Sequence, residues 1–361
     1  MSTDKLVAQY ADALSHYVRF TQKLEALLTD LLLANAIAYH VIESRTKDVQ
    51  SFRDKITRSS KAYTDPITEL TDLSGIRVIA YYQDDAASIG RLIESEFQVD
   101  QHQSLIQVPA PTEFGYRSSH YVVQLSEVRS RLMEWHGLGH LKAEIQVRTV
   151  LQHAWAAISH KLQYKREDDV PAQLRRKLFR LSALFELADD EFVSLRDASG
   201  DLTRTIGSQL SAGNRQIAID ALSLGQFLDT SRTVAQLCAM AAEAGFSFEV
   251  PDGHESVDES ATLSDLIQLA ALADLCTIEN FESVLTAALP WAESYLRAQY
   301  AAGHTSRKND WHVTPPFVCQ LVLIRTKIEM LRPGYLQRLG WNRSIAARVY
   351  QIAKEFRPGE V

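Results

Sequence analysis

The sequence predicts an α+β protein, with a mixed β-sheet flanked by helices over residues 1–195 and a mainly helical region over residues 196–361. Three observations predict it. Apolar residues recur at three- and four-residue spacings over residues 4–35, the period of an amphipathic helix. Several later segments alternate apolar and polar residues, as half-buried strands do. Beyond about residue 150 the helical period dominates. The 361 residues, 46% hydrophobic and 23% charged, suffice for about two domains.

Taken in order, Leu6, Tyr10, Leu14, Tyr17, Leu24, Leu28 and Leu31 define the first helix face. A strand is expected over Ala36–Ser44 and a helix over residues 48–63, with Phe52 and Ile56 on one side. Asp72-Leu-Ser-Gly-Ile-Arg-Val-Ile-Ala-Tyr-Tyr82 reads as a loop feeding a β-rich strand. A helix near 84–97, a strand near 98–107 and strands over Ser118–Leu125 and Lys142–Val150 follow. Thr149-Val-Leu-Gln152 fits a capping box that opens a helix. Its apolar stripe, Leu151, Trp155, Ile158 and Leu162, reads as core, while His153, His160, Lys161, Tyr164 and Lys165 lie off the stripe. The polar stretch Asp197-Ala-Ser-Gly-Asp201 marks the expected domain boundary, and Pro251-Asp-Gly-His-Glu-Ser interrupts the helical pattern beyond it.

Composition narrows the function. Cys238, Cys276 and Cys319 are far apart, which argues against a zinc site or a disulfide framework and for a reducing cytoplasm. The N-terminus lacks the apolar core of a secretory signal, and no long uncharged apolar run marks a membrane span. A formal net charge of −7 excludes a general nucleic-acid coating protein, so any RNA contact must be a local patch.

The polar strand faces carry the chemistry. In Lys142–Arg148 the residues Ala143, Ile145 and Val147 share one face, and Lys142, Glu144, Gln146 and Arg148 the other. On strand pattern alone, a solvated antiparallel face is the favoured reading over a site. Arg45, Lys47, Lys55 and Arg77 supply the cations a polyphosphate needs. Asp72 and Glu144 are candidate carboxylates for Mg²⁺, which takes oxygen ligands and usually one or two carboxylates; alternatively they are a turn residue and a surface strand residue. Tyr116 has an aromatic face for a base, or is a core tyrosine. His120 suits phosphate or ribose, or a core hydrogen bond.

Collected in order, Ser44-Arg-Thr-Lys47 with Ser51 and Lys55, Asp72-Leu-Ser-Gly-Ile-Arg-Val78, Gly115-Tyr-Arg-Ser-Ser-His120, Glu144-Ile-Gln-Val-Arg-Thr149, and His153-Ala-Trp155 with His160-Lys-Leu-Gln-Tyr-Lys165 resemble the synthetase domain of the RelA/SpoT family over about residues 1–195. The resemblance implies a nucleotidyltransferase-like sheet and a Mg²⁺-dependent transfer of pyrophosphate from ATP to the ribose 3′-hydroxyl of GDP or GTP. It implies that Arg45 and Arg77 sandwich the adenine and that Lys47 and Lys55, with Ser51, hold the ATP phosphates. Asp72 and Glu144 hold the metal, and Glu144 helps deprotonate the acceptor. Tyr116 stacks on the guanine, and His120, Gln146 and Arg148 serve the acceptor. No His-Asp dipeptide occurs, so the hydrolase activity of some members is not expected.

The approach to Gly115, Val108-Pro-Ala-Pro-Thr-Glu-Phe114, lacks the lysines that grip an acceptor diphosphate in many members. The alternative acceptor is therefore the 3′ CCA end of tRNA, as in the toxic branch of the family. Lys161, Lys165, Arg166, Arg175, Arg176, Lys177 and Arg180 form a basic stretch that would meet RNA or simply be a solvated helix face balanced by acids. A catalytically silent nucleotide-binding regulator is a further reading, opposed by the presence of both Asp72 and Glu144. The region after about residue 200, with Trp311, Tyr335, Trp341 and Tyr350 near its end, is an accessory domain with its own core or a regulatory domain released by a protein trigger or antitoxin. Self-association is a further partner expectation.

Overall fold

Helix α1 (Thr3–Ala34) buries Tyr10, Tyr17, Phe20, Leu24, Leu28 and Leu32 along one stripe, each large apolar side chain being worth about 1.5–3 kcal/mol when fully removed from water. The structure, a computed structural model, describes residues 2–58, 63–106, 118–161, 172–248, 259–303 and 312–358. The chain forms two compact units, Met1–Asp197 and Ala198–Val361.

In the first unit α1 ends at a left-handed turn, with Ala36 at φ 51°. The strand expected from Ala36 therefore starts later, as β1 (Val41–Thr46). Helix α2 (Val49–Ile56) is capped by Asp48 and is shorter than the expected 48–63; residues 59–62 lie outside the described residues. A short α3 (Pro66–Glu69) precedes β2 (Ser74–Ala80), and α4 (Gln83–Glu96) runs directly into β3 (Phe97–Val99). The strand expected over 98–107 stops early because Asp100 turns the chain, its side chain accepting from the backbone of His102 at 3.1 Å and Gln103 at 3.2 Å. Strand β4 (Ser119–Leu125), α5 (Glu127–Ser130), β5 (Ala143–Thr149) and α6 (Val150–Lys161) complete the sheet unit.

The five strands lie in the order β1-β2-β5-β4-β3. Strands β2 and β5 are parallel, and the β1–β2, β4–β5 and β3–β4 pairs are antiparallel. The sheet is mixed and flanked by helices, as the sequence predicts. Its register sorts the side chains by chemistry. One face carries Ile76, Val78, Ile145, Val147 and Tyr121, all buried. Helix α1 closes on this face, where Thr21 Oγ1 lies 2.9 Å from Ser74 Oγ. Helix α4 closes on it too, with Gly90 against the Tyr121 ring. The other face brings Glu43, Arg45, Gly75, Arg77, Glu144, Gln146 and His120 side by side.

One expectation needs correction here. Ile158 of α6 is not core: it is 51% exposed, and Leu162 lies outside the described residues. Trp155 instead packs its ring on Phe185, with centroids 5.8 Å apart. Helix α7 (Ala172–Ser211) runs through the stretch Asp197–Asp201, and the two units divide within it at Asp197–Ala198. The polar residues of the stretch occupy exposed positions, and a single interior glycine costs only about 1 kcal/mol relative to alanine.

The second unit is helical: α8 (Ala221–Thr230), α9 (Arg232–Ala244), α10 (Glu259–Leu272), α11 (Ile278–Gly303), α12 (Pro315–Thr326), α13 (Tyr335–Arg338) and α14 (Arg343–Glu355). Helix α12 is apolar all round and buries Val318, Leu321, Val322, Leu323 and Ile324. The aromatic residues near the end belong to this core. Trp341 stacks on Phe317 with centroids 5.2 Å apart and donates to Asp265 at 3.1 Å, and the Tyr350 hydroxyl donates to the Leu331 carbonyl at 3.1 Å. Trp311 and residues 251–256 lie outside the described residues. Among the described residues no helix is long and apolar enough to cross a membrane.

Candidate functional site

A cleft of about 600 Å³ opens on the polar sheet face, lined by Glu25, Glu43, Arg45, Lys47, Asp72, Gly75, Arg77, Glu144 and Gln146 among others. Strand geometry assembles it. Arg45 pairs with Gly75, and Gly75 with Glu144, across three neighbouring strands. Gly75 contributes no side chain between the arginine and the carboxylate, and that gap is the floor of the cleft. Lys47 lies just past β1, where its backbone N–H still bonds the Leu73 carbonyl at 2.9 Å. It therefore keeps the alternation of Glu43 and Arg45.

Asp72 is the hub of the cationic side. Its Oδ2 receives Lys55 Nζ at 2.6 Å and Lys47 Nζ at 3.0 Å, and Lys47 is only 7% exposed. Burial alone raises the Asp72 pKa, but the two lysines outweigh it and hold the carboxyl below its usual range. Its other oxygen, Oδ1, is buried with no hydrogen-bond partner. The Tyr10 hydroxyl donates to the Lys47 carbonyl at 2.5 Å, which ties α1 to this corner.

Glu144 anchors the opposite side. His120 Nδ1 lies 2.6 Å from its Oε1, and Gln146 Nε2 approaches the same oxygen at 3.4 Å. Burial raises this carboxyl and Asp72 adds to the rise, yet the His120 contact dominates and the net shift is downward. Arg148 continues the row, donating to Gln146 Oε1 at 2.5 Å. Burial, aided by Arg77, lowers its pKa to about 10. Arg77 donates to Glu43 at 2.7 Å, and Ser44 to Glu25 at 2.7 Å.

Of the residues singled out from sequence, Arg45, Lys47, Asp72, Arg77, Glu144 and Gln146 line one cleft. Lys55 reaches it through Asp72, and His120 and Arg148 border it through hydrogen bonds. Ser51 is otherwise engaged, its hydroxyl donating to Asp48 at 2.7 Å at the start of α2. Tyr116, residues 108–114, Tyr164, Lys165 and Arg166 lie outside the described residues. Arg176, Lys177 and Arg180 are exposed. His153 sits close enough to Arg77 and Arg148 that burial and these two cations lower its pKa. Sequence reasoning missed Glu43, Gly75 and Glu25. Glu43 lies two residues before Arg45 on one strand, a signal that alternation exposes; Glu25 comes from distant α1 and leaves no local signal.

The donor set fits a hard cation. Among the described residues no group of three or more His, Cys, Asp or Glu forms a metal cage. Asp72 and Glu144 instead offer two carboxylates in one cleft, one with a buried unpartnered oxygen. Such a pair suits Mg²⁺, which keeps waters and substrate phosphates as its other ligands.

The fold and cleft define an α+β domain whose open sheet face gathers cations and carboxylates for an anionic substrate. Comparison makes the class specific. Residues 44–169 match the family model described as a region found in RelA/SpoT proteins. The chain is 30% identical over 158 residues to the GTP pyrophosphokinase YjbM of Bacillus subtilis (strain 168), covering 43% of this chain and 71% of that protein. It is 27% identical over 158 residues to the GTP pyrophosphokinase YwaC of the same organism, covering 43% and 72%. Among solved structures, small alarmone synthetase 1 from Bacillus subtilis bound to its product pppGpp aligns at 25% identity and a TM-score of 0.43, over 53% of this chain and 98% of that one. The chain belongs to the RelA/SpoT family.

Proposed function

We propose that this chain is a pyrophosphokinase that transfers the β,γ-pyrophosphate of ATP to the ribose 3′-hydroxyl of GDP or GTP, making an alarmone in the cytoplasm. The observation that carries the reading is the convergence of Asp72 and Glu144 with Arg45, Lys47 and Arg77 in one cleft. Family membership and the printed activity of both relatives support it.

Arg45 and Arg77, on one face of adjacent strands, flank the adenine. Lys47 and Lys55 hold the phosphates, exchanging their contact with Asp72 for the incoming polyanion. Asp72 and Glu144 hold Mg²⁺, which supplies neutralising charge for the phosphates when bound. Glu144 takes the proton of the 3′-hydroxyl. The 3′-oxygen bonds to the β-phosphorus, the bond from that phosphorus to the α-bridging oxygen breaks, and AMP leaves. Positioning and charge neutralisation supply most of the acceleration. Gln146, Arg148 and Tyr116 are assigned to the acceptor.

A second reading rests on one sequence observation: Val108–Phe114 contains no cation, and its Glu113 has the wrong charge for a phosphate. An RNA acceptor, the tRNA 3′ end, needs no such grip. Incubation with Mg²⁺ and ATP labelled at the γ-phosphate, offering GDP, GTP and bulk tRNA separately, decides. Label in a guanine nucleotide is the expected result. Label in tRNA alone establishes the second reading, and label in none of them contradicts both.

A further inference from the structure

Resting on that reading of the cleft, we infer that His120 is a positioning residue for Glu144, fixing which carboxylate oxygen faces the reaction, rather than a residue that touches the acceptor. The inference starts from a shared asymmetry. Asp72 takes both lysines on Oδ2 and leaves Oδ1 buried without a partner. Glu144 takes His120 and Gln146 on Oε1, and among the described residues no hydrogen bond reaches its Oε2. Each carboxylate is thus tethered by one oxygen and has the other to offer.

The tether on Glu144 is built into the sheet. His120 pairs with Gln146 across β4–β5, and Glu144 pairs with Val122. His120 therefore sits diagonal to Glu144 on the same face, about 7–8 Å away at the backbone, a gap an imidazole spans. The His120 backbone is held on its other side as well, exchanging two 2.9 Å hydrogen bonds with Leu105. The ring is fixed at both nitrogens, with Nδ1 on Glu144 at 2.6 Å and Nε2 on the Ser118 hydroxyl at 2.8 Å. A carboxylate only accepts, so Nδ1 carries the hydrogen. Nε2 already has Ser118. A ring so occupied has no nitrogen to spare for an acceptor, and its effect passes through the carboxylate. Ser118–His120–Glu144 is the hydroxyl–imidazole–carboxylate order in which the middle ring is oriented by its neighbours, with the carboxylate here the member that meets the substrate.

Two isosteric replacements separate the roles. An Asn amide nitrogen falls where Nδ1 lies, and a Gln amide nitrogen where Nε2 lies. Steady-state kinetics on the acceptor that accepts label should show His120→Asn within about threefold of wild type. His120→Gln should lose roughly 10–100-fold in kcat, the usual cost of removing an outer-shell partner, with the acceptor KM within twofold. An active Gln variant beside an inactive Asn variant overturns the inference, as does a raised acceptor KM at unchanged kcat. An activity-independent check is ¹⁵N NMR of histidine-labelled protein, with the His120 signal assigned by its loss in His120→Asn. A ring protonated at Nδ1 is expected, and a ring protonated at Nε2 alone overturns the tether. Inactivity of wild type toward every acceptor would instead remove the pyrophosphokinase reading, while the NMR result still decides the tether.

Discussion

Asp72 does more in the cleft than any other side chain. It neutralises two lysines with one oxygen, and its other oxygen is buried without a hydrogen-bond partner. Asp72→Asn is expected to abolish transfer. It also leaves buried Lys47 without its counter-charge, so the variant should fold but lose roughly 1–3 kcal/mol, read by urea titration. Normal turnover by the folded variant would remove the metal-ligand assignment. The acid response follows from the direction of the shift. The Asp72 carboxyl is lowered in the folded state, so its contribution to stability is present above the unfolded value, near about 4, and is lost as pH falls through the lower folded value. Melting temperatures taken between about pH 6 and pH 3 should therefore fall more steeply for wild type than for Asp72→Asn, and parallel curves would contradict the pairing. At this scale much of the cleft was legible in the sequence: charge and strand alternation alone put Arg45, Lys47, Arg77 and Glu144 on polar faces. The contact of Ser51 with Asp48 was not legible, because one hydroxyl serves a cap or a phosphate equally well.

The strands and helices set the shape of the cleft. A side-chain carbon added at Gly75 meets nothing closer than the Arg45 carbonyl at 3.6 Å, so the backbone accepts one. A larger side chain there must project between Arg45 and Glu144. Gly75→Leu is expected to keep its melting temperature within a few degrees while raising the ATP KM at least tenfold; unchanged ATP kinetics would show that the cleft floor is not used. Gly90 of α4 differs, because an added carbon runs into the Tyr121 hydroxyl. Gly90→Ala should cost about 1–3 kcal/mol and leave the KM values of the remaining folded enzyme unchanged. The sequence shows these elements better than their ends. The period-two pattern of 142–150 matches β5 because one strand face is fully buried. The ends of β1 and β3 were misplaced because a left-handed Ala36 and the Asp100 turn are backbone events with weak residue signals.

For the whole molecule, the two units differ in what holds them. The first packs a mixed sheet against α1 and α4, and the second packs helices around the apolar α12. The two units divide at Asp197–Ala198 inside the continuous helix α7, and a polar stretch in the sequence does not by itself tell a linker from the solvated side of a long helix. We propose that residues 198–361 regulate or accompany the catalytic unit. Their complete removal would cut α7 in mid-helix, so a shortened chain ending after Ser211, where that helix ends, is the better test of the first unit alone. It should retain its acceptor KM.

Transfer of pyrophosphate and transfer of a single phosphate release different adenine nucleotides from ATP, and that difference is measurable. Chromatographic quantification of AMP and ADP against acceptor consumed, with Mg²⁺ and ATP present, is expected to give one AMP per modified acceptor, no ADP, and neither product from Glu144→Gln. ADP as the stoichiometric product, or AMP release undiminished in Glu144→Gln, would contradict a pyrophosphate transfer that runs through this cleft.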